Sequence, residues 1–147
     1  MSDELVRDGG FENSPWWFTG TAKVDVSCQR TGQYAARVNI GGQSGTVSQR
    51  IFLPFSSKYR FSFWHITDGG GGGQTVAVKA EIRIAKPRQV YTVYENKTLG
   101  PNQIYKQEGT PEDFVLESQF IEIVFTAAAN APSPAWFVDD VSLVPIP

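Results

Sequence analysis

Residues 76–84 read Val-Ala-Val-Lys-Ala-Glu-Ile-Arg-Ile, with an apolar side chain at every second position. Successive side chains of a β-strand point to opposite faces, so a period of two predicts a strand with one face in a core. Residues 59–64 repeat the pattern, because Tyr59, Phe61 and Phe63 alternate with other residues there. Further short runs of this kind lie at residues 23–27, 34–40, 46–53, 89–95, 120–126 and 136–144.

Turn-forming residues separate these runs. They are Thr31-Gly32, Gly41-Gly42, Pro54, the five glycines 69–73, Gly100-Pro101 and residues 132–134. About nine strands with no convincing helix between them predict an all-β fold, a two-sheet antiparallel sandwich. The length of 147 residues predicts one domain over residues 1–147 with a core of its own.

The charges are nearly balanced, with 13 basic and 15 acidic residues and a net charge of −2. Without a basic run, neither nucleic acid nor an anionic membrane is expected as a partner. No apolar run approaches the ~20 residues that span a bilayer, and residues 1–7 are charged where a signal peptide needs apolar residues. We therefore expect either an intracellular protein or a part of a longer, exported one.

The chain holds one histidine, His65, and one cysteine, Cys28. A nucleophile–base–acid triad would need His65, but this residue shares its strand parity with Phe61 and Phe63, which predicts a core or rim position. A closed zinc site takes four nitrogen or sulfur ligands, more than the chain offers. Cys28 is predicted to be a small buried thiol. These counts disfavour a hydrolase or a lyase.

Three carboxylates stand out. Glu12 follows the turn Gly9-Gly10, and Asp139-Asp140 interrupts an apolar strand near the end of the chain. Burying such charges costs several kcal/mol per ion unless a partner compensates them. Calcium takes six to eight oxygen ligands, often carboxylates with carbonyls from tight turns. The alternative is that these carboxylates lie at exposed strand ends or pair with Arg7, Lys23 or Arg37.

Five short segments follow one another along the chain: residues 9–12, 31–38, 47–51, 59–64 and 138–143, together with Trp17 and Gly20. Taken in this order, they resemble galactose-binding-like jelly rolls, most of all the carbohydrate-binding modules of bacterial xylanases and glucanases. They span nearly the whole chain. The resemblance implies a jelly roll whose first and last strands lie close together, with a structural calcium ion at one edge.

Position by position, the resemblance implies that Glu12 and Asp140 supply side-chain ligands of the Ca²⁺ ion, while Gly10 and Gln33 supply backbone carbonyls. Asp139 is the alternative carboxylate ligand. The sequence departs from the family pattern at residue 8, where an aspartate precedes the two glycines in place of the usual asparagine.

A sugar ring stacks on flat aromatic side chains, and its hydroxyls bond to polar ones, so a binding surface needs exposed aromatic residues beside polar groups. Trp64 lies at one of the positions that alternate with the apolar residues of its strand, and Glu81 and Arg83 do so in their strand. All three are therefore predicted to point away from the core. In the next run, Tyr94 is predicted to join the same surface. Trp16, beside the Glu12 turn, is predicted to form a platform in a loop.

The sequence therefore predicts a non-catalytic carbohydrate-binding module that binds a poly- or oligosaccharide as part of a larger extracellular or cell-surface bacterial protein. An alternative is a structural or adhesive domain of a bacterial surface, spore or phage protein, with another protein as its partner. A small hydrolase or lyase is the third interpretation.

Overall fold

The computed structural model describes residues 4–12, 17–19, 23–25, 34–39, 44–67, 75–85, 88–100, 102–129 and 135–146. Eleven strands occur in these ranges: β1 (Phe18–Thr19), β2 (Lys23–Asp25), β3 (Ala35–Arg37), β4 (Gly45–Phe52), β5 (Ser57–Thr67), β6 (Val76–Ile84), β7 (Gln89–Leu99), β8 (Asn102–Gly109), β9 (Val115–Leu116), β10 (Phe120–Ala129) and β11 (Trp136–Ile146). None of the described residues is helical, so no helix there could cross a membrane.

The strands form two antiparallel sheets. One has five strands in the order β1-β4-β10-β6-β7, and the other has six, in the order β2-β3-β11-β5-β8 with β9 beside β5. Along β5 the odd-numbered residues from Tyr59 to Thr67 are buried and the even-numbered ones are not, as the period of two predicts. The predicted all-β, antiparallel two-sheet sandwich is confirmed.

Aromatic rings from both sheets fill the space between them. Phe125 on β10 lies 5.0 Å from Phe63 on β5 and 6.1 Å from Trp136 on β11, measured between ring centroids. Phe61 is a third neighbour of Phe125, at 6.3 Å. Such pairs add about 0.5–1.5 kcal/mol each beyond the burial of their area, so these rings fix how the two sheets face each other.

Residues 4–12 connect the two sheets. The amide of Leu5 donates to the carbonyl of Leu143 on β11, at 2.9 Å. The side chain of Gln49 on β4 pairs with the backbone of Arg7 through two hydrogen bonds of 2.8 and 2.7 Å. This segment therefore spans from the six-stranded to the five-stranded sheet at one end of the sandwich.

Strand β8 was missed by the sequence pattern. Its residues are mostly polar, and it lies at the edge of the six-stranded sheet, where it pairs only with β5 among the described strands. An edge strand buries few of its side chains, so it carries little of the apolar alternation that identifies a strand.

Candidate functional site

Two exposed phenylalanines lie side by side on the outer face of the five-stranded sheet. Phe52 on β4 and Phe120 on β10 are direct cross-strand partners, with ring centroids 5.0 Å apart. Their exposed fractions are 52% and 51%. The guanidinium carbon of Arg50 sits 4.4 Å from the centre of the Phe120 ring. The two ring planes are inclined by 55° to each other. Together with Arg50 they form an exposed apolar surface with a cationic group on it, which we call the phenylalanine platform (Phe52, Phe120 and Arg50).

A recess lies on each side of this platform, and Arg50 and Phe120 line both of them. The first recess, of about 810 Å³, is also bordered by Arg7 and Asp8 of the N-terminal segment. The second, of about 510 Å³, is bordered by Arg83 of β6. Both volumes fall in the range of about 300–1,000 Å³ that is usual for ligand sites.

Glu81 and Arg83, which the sequence singled out, belong to the same outer face. Arg83 lies between two carboxylates, 3.5 Å from that of Glu81 and 3.7 Å from that of Glu122 on β10. Glu81 is largely buried, and Lys79 approaches its other oxygen to 3.9 Å. Two cations thus hold the Glu81 carboxylate, while Arg83 keeps half of its side chain in solvent.

Trp64 does not join that surface. It lies half-buried on β5, where its cross-strand partners are Asp139 and Gln107 of the six-stranded sheet. Glu81 and Arg83 lie on the outer face of the other sheet, so the prediction that all three share one surface is wrong. Parity tells which face of its own sheet a residue occupies, but it does not tell which sheet the strand enters.

Tyr94 faces the core, not the outer surface. A bulge in β7 inserts one extra residue, so that Tyr94 pairs with Ala80 but Thr92 pairs with Glu81. A bulge reverses the parity of the residues beyond it, and the Tyr94 ring therefore packs against His65 in a tilted arrangement, with centroids 4.8 Å apart. The prediction of an outward Tyr94 is wrong for this reason. Trp16 and Gln33 lie outside the described residues.

Sequence reasoning missed the phenylalanine platform, although a signal for it was available. Phe52 lies out of phase with the buried residues Val47 and Ile51 of β4, and Phe120 directly precedes the buried Ile121. An aromatic residue on the polar phase of a strand is the criterion that selected Trp64. Applied to every run, it also selects Phe52 and Phe120.

The turn before β1 meets the bulge of β11. The amide of Val141 donates to the carbonyl of Gly9 at 2.9 Å, and Asp140 adopts a left-handed φ of 49° at the bulge. A Cβ built on Gly10 would lie 3.8 Å from Asp140 Oδ1, 3.8 Å from Glu12 Cγ and 4.0 Å from Asp139 Oδ1. The two ends of the chain therefore bring these carboxyl groups around the backbone of Gly10.

A third segment reaches the same place. The amide of Tyr34, which follows Gln33 in the sequence, donates to Glu12 Oε2 at 2.8 Å. In the described part of the chain, no group of three or more His, Cys, Asp or Glu side chains is arranged to hold a metal ion. The oxygen atoms near Gly10 belong to carboxylates and backbone carbonyls, the ligand types that suit a hard cation such as calcium. Because three carboxylates of the described residues are not arranged around one point, the ligands of such a cation would have to include backbone carbonyls.

His65 is a satisfied core residue, as its parity predicted. The indole N–H of Trp136 donates to His65 Nδ1 at 3.0 Å, and because that N–H can only donate, the proton of the neutral ring is on Nε2. Nε2 then donates to the carboxylate of Glu108 at 3.1 Å. Burial lowers the pKa of His65 below its ordinary 6.5, and the hydrogen bond and charge of Glu108 oppose that shift only in part.

Comparison with known proteins gives one family and many structural neighbours. The model of a family described as "Carbohydrate binding domain" matches residues 3–126. No curated protein sequence matches the chain. A family 61 carbohydrate-binding module, solved with β-1,4-galactotriose, has a TM-score of 0.77 and 21% identity, with 99% of this chain and 100% of that module covered.

Two further neighbours have the same architecture. A family 16 carbohydrate-binding module has a TM-score of 0.64 and 15% identity, covering 95% of this chain and 99% of its own. The C-terminal family 22 module of Xyn10B from Clostridium thermocellum has a TM-score of 0.62 and 14% identity, covering 99% and 95%. At these identities the neighbours establish the fold.

Proposed function

The chain belongs to the carbohydrate-binding domain family, and from that membership we propose that it is a non-catalytic module that binds a poly- or oligosaccharide across the phenylalanine platform. The observation that carries this proposal is the exposed Phe52–Phe120 pair between two recesses lined by polar side chains. Apolar faces of sugar rings can stack on the two rings. Arginine and glutamate side chains around them can bond the hydroxyls.

The family 61 neighbour was solved with a galactotriose, which makes β-1,4-galactan a reasonable first ligand for a binding screen. Immobilised galactans, xylans and glucans should be tested with the wild-type chain and with Phe120→Ala and Phe52→Ala. We expect each substitution to weaken binding about tenfold or more, the effect that loss of a stacking aromatic residue has elsewhere.

Phe55→Ala is the matched control. Phe55 is 49% exposed, as the platform residues are, but it borders a different recess with Pro54 and Pro145. Retained affinity in Phe52→Ala and Phe120→Ala, with folding intact, would contradict binding at the platform. Release of reducing sugars from any of these polysaccharides would contradict a non-catalytic module.

We also propose a structural calcium ion held by Glu12, Asp140 and the carbonyls of Gly10 and Gln33, with Asp139 in reserve. The side chains of Glu12, Asp139 and Asp140 all lie close to the backbone of Gly10, which supports this proposal. The ion would neutralise acidic groups that the fold crowds together at the meeting point of the two chain ends.

Calcium that binds only the folded state must stabilise it, by about 2.7 kcal/mol at a hundredfold excess over the dissociation constant. For a chain of this size that corresponds to a rise in melting temperature of about 5–11 °C over the chelated protein. Asp140→Asn should abolish the rise without straining the backbone, because asparagine tolerates a left-handed φ. An unchanged melting temperature after thorough chelation would overturn the calcium proposal.

The module is proposed to act within a larger extracellular or cell-surface protein. A structural or adhesive domain is the second candidate function, since two adjacent exposed phenylalanines could equally contact another protein. The two candidates differ in one experiment. If no polysaccharide binds and light scattering shows discrete oligomers that Phe120→Ala dissociates, the platform is a protein-contact surface.

A further inference from the structure

The second recess beside the platform is cationic. Three arginines line it, Arg50, Arg83 and Arg88, against a single carboxylate, that of Glu122. The whole chain carries a net charge of −2, so this concentration of positive charge is local. All three arginines are exposed to solvent.

The three guanidinium groups form few ion pairs with carboxylates in the described part of the protein. Arg83 shares its positive charge between Glu81 and Glu122 at 3.5 and 3.7 Å, which is longer than a good charge-assisted hydrogen bond. Neither Arg50 nor Arg88 forms an ion pair with any residue that the structure describes. Each guanidinium has five N–H donors, so the recess offers many donors and few acceptors.

A neutral sugar presents hydroxyls that donate as well as accept, and it gains from a mixture of carboxylates, amides and arginines. A carboxylate only accepts, and it matches the fork of a guanidinium with two parallel hydrogen bonds. The donor-rich second recess therefore fits a carboxylate better than a hydroxyl. The adjoining Phe120 ring provides the apolar surface on which the rest of a sugar ring can lie.

We propose that the module recognises an acidic polysaccharide, with a uronic-acid carboxylate in the recess of Arg50, Arg83 and Arg88 and its sugar ring against Phe120. This inference rests on the proposed function, because it names the ligand class of the same platform.

The test uses soluble oligomers in matched pairs: galacturonate oligosaccharides and glucuronate-substituted xylo-oligosaccharides, each beside the same material with its carboxyl groups chemically reduced. Isothermal titration with the wild-type chain should show at least about tenfold tighter binding of an acidic oligomer than of its reduced partner. The preference should shrink at high ionic strength, because the recess is open to solvent.

Arg88→Ala should lower affinity for the acidic oligomer several-fold and affect the reduced one much less. Arg50→Ala should also weaken the acidic oligomer by a larger factor than the reduced one, although Arg50 belongs to the platform that both oligomers contact. Arg88→Lys keeps the charge but removes the fork, and it should recover only part of the loss. Arg60→Ala is the matched control, since Arg60 is an exposed arginine on β5 of the other sheet.

Equal or tighter binding of the reduced oligomers, with no effect of Arg88→Ala, would overturn the acidic class and leave the proposed function standing. Failure to bind any acidic or neutral glycan would overturn both.

Discussion

Gly9 and Gly10 are adjacent in the sequence but have different surroundings. A Cβ on Gly9 would lie 2.0 Å from the carbonyl oxygen of Val141, a backbone atom that cannot rotate away. A Cβ on Gly10 would meet nothing closer than 3.8 Å. Gly9→Ala must therefore displace the turn from β11 and weaken the Val141 N–H to Gly9 hydrogen bond.

We expect Gly9→Ala to lower the free energy of unfolding by about 1–3 kcal/mol, the usual cost of forcing extra volume into a closed contact. Gly10→Ala should change it by less than about 0.5 kcal/mol in the chelated protein. Urea denaturation of both variants measures the difference. Equal effects of the two substitutions would show that the turn does not pack against β11.

His65 should make the stability depend on pH. Burial lowers its pKa in the folded chain, although Glu108 opposes the shift, and Lys106 adds to it. At a pH between the folded pKa and the ordinary value of 6.5, the His65 ring of the unfolded chain binds a proton that the ring of the folded chain does not. The stability contributed by neutral His65 is therefore complete above about pH 6.5, and it falls as the pH decreases. Protonation at Nδ1 also removes the acceptor for Trp136.

Because the chain has one histidine, its ring proton signals give the folded pKa directly in an NMR titration. We expect a midpoint below that of a histidine in the unfolded chain. The melting temperature should fall from pH 7 toward pH 5, and His65→Gln should flatten that slope whatever its effect on absolute stability. A folded midpoint at or above 6.5 would contradict the account of the buried ring.

Strand β10 carries two phenylalanines five positions apart, and because this number is odd they lie on opposite faces of the strand. Phe125 is fully buried against rings of β5 and β11, while Phe120 is half exposed. We expect Phe125→Ala to cost about 3–5 kcal/mol. Phe120→Ala should cost less than about 1 kcal/mol, which also makes it a clean variant for binding experiments.

Thermal and urea unfolding of the two variants check this prediction under identical conditions. A loss of stability in Phe120→Ala as large as that in Phe125→Ala would mean that the Phe120 ring is covered, and the platform would not exist as a free surface.

Strand periodicity predicted most strands and their buried faces, because each of them alternates against one core. It failed at β7, where a single inserted residue turns Tyr94 inward beside His65. A bulge changes the pairing register between two strands, and the alternation of residues within one strand does not reveal it. The prediction that Tyr94 points outward was wrong for that reason.

For the whole fold, the family resemblance implied both the sandwich and the approach of Glu12 to Asp140, because an ordered set of segments that matches a family carries over that family's architecture. The sugar surface was harder to predict. Trp64 and Arg83 satisfy the same parity rule, but β5 and β6 are consecutive strands that enter different sheets. Which sheet a strand enters depends on pairing between distant segments, so sequence alone could not separate the two surfaces.

The N-terminal segment borders both proposed sites. Asp8 lines the first recess, and its carboxylate accepts a hydrogen bond from the amide of Glu12 at 2.8 Å. The segment is nevertheless anchored to both sheets by contacts that involve no ion, through Leu5 on β11 and through the Gln49 side chain on β4. The wall of the recess is therefore in place whether or not calcium is bound.

Chelation should accordingly lower the melting temperature but change the affinity for a polysaccharide by less than about twofold, the limit expected for independent sites. Titration of the same glycan with calcium-loaded and with chelated protein, at a temperature where both are folded, measures the coupling. Asp140→Asn should behave as the chelated protein does, and Phe120→Ala should lose glycan binding while it keeps the stabilisation by calcium. A tenfold or greater loss of glycan affinity on chelation would mean that the ion orders the wall of the first recess. In that case Gln49→Ala should produce a similar loss of affinity, because it releases Arg7 from β4.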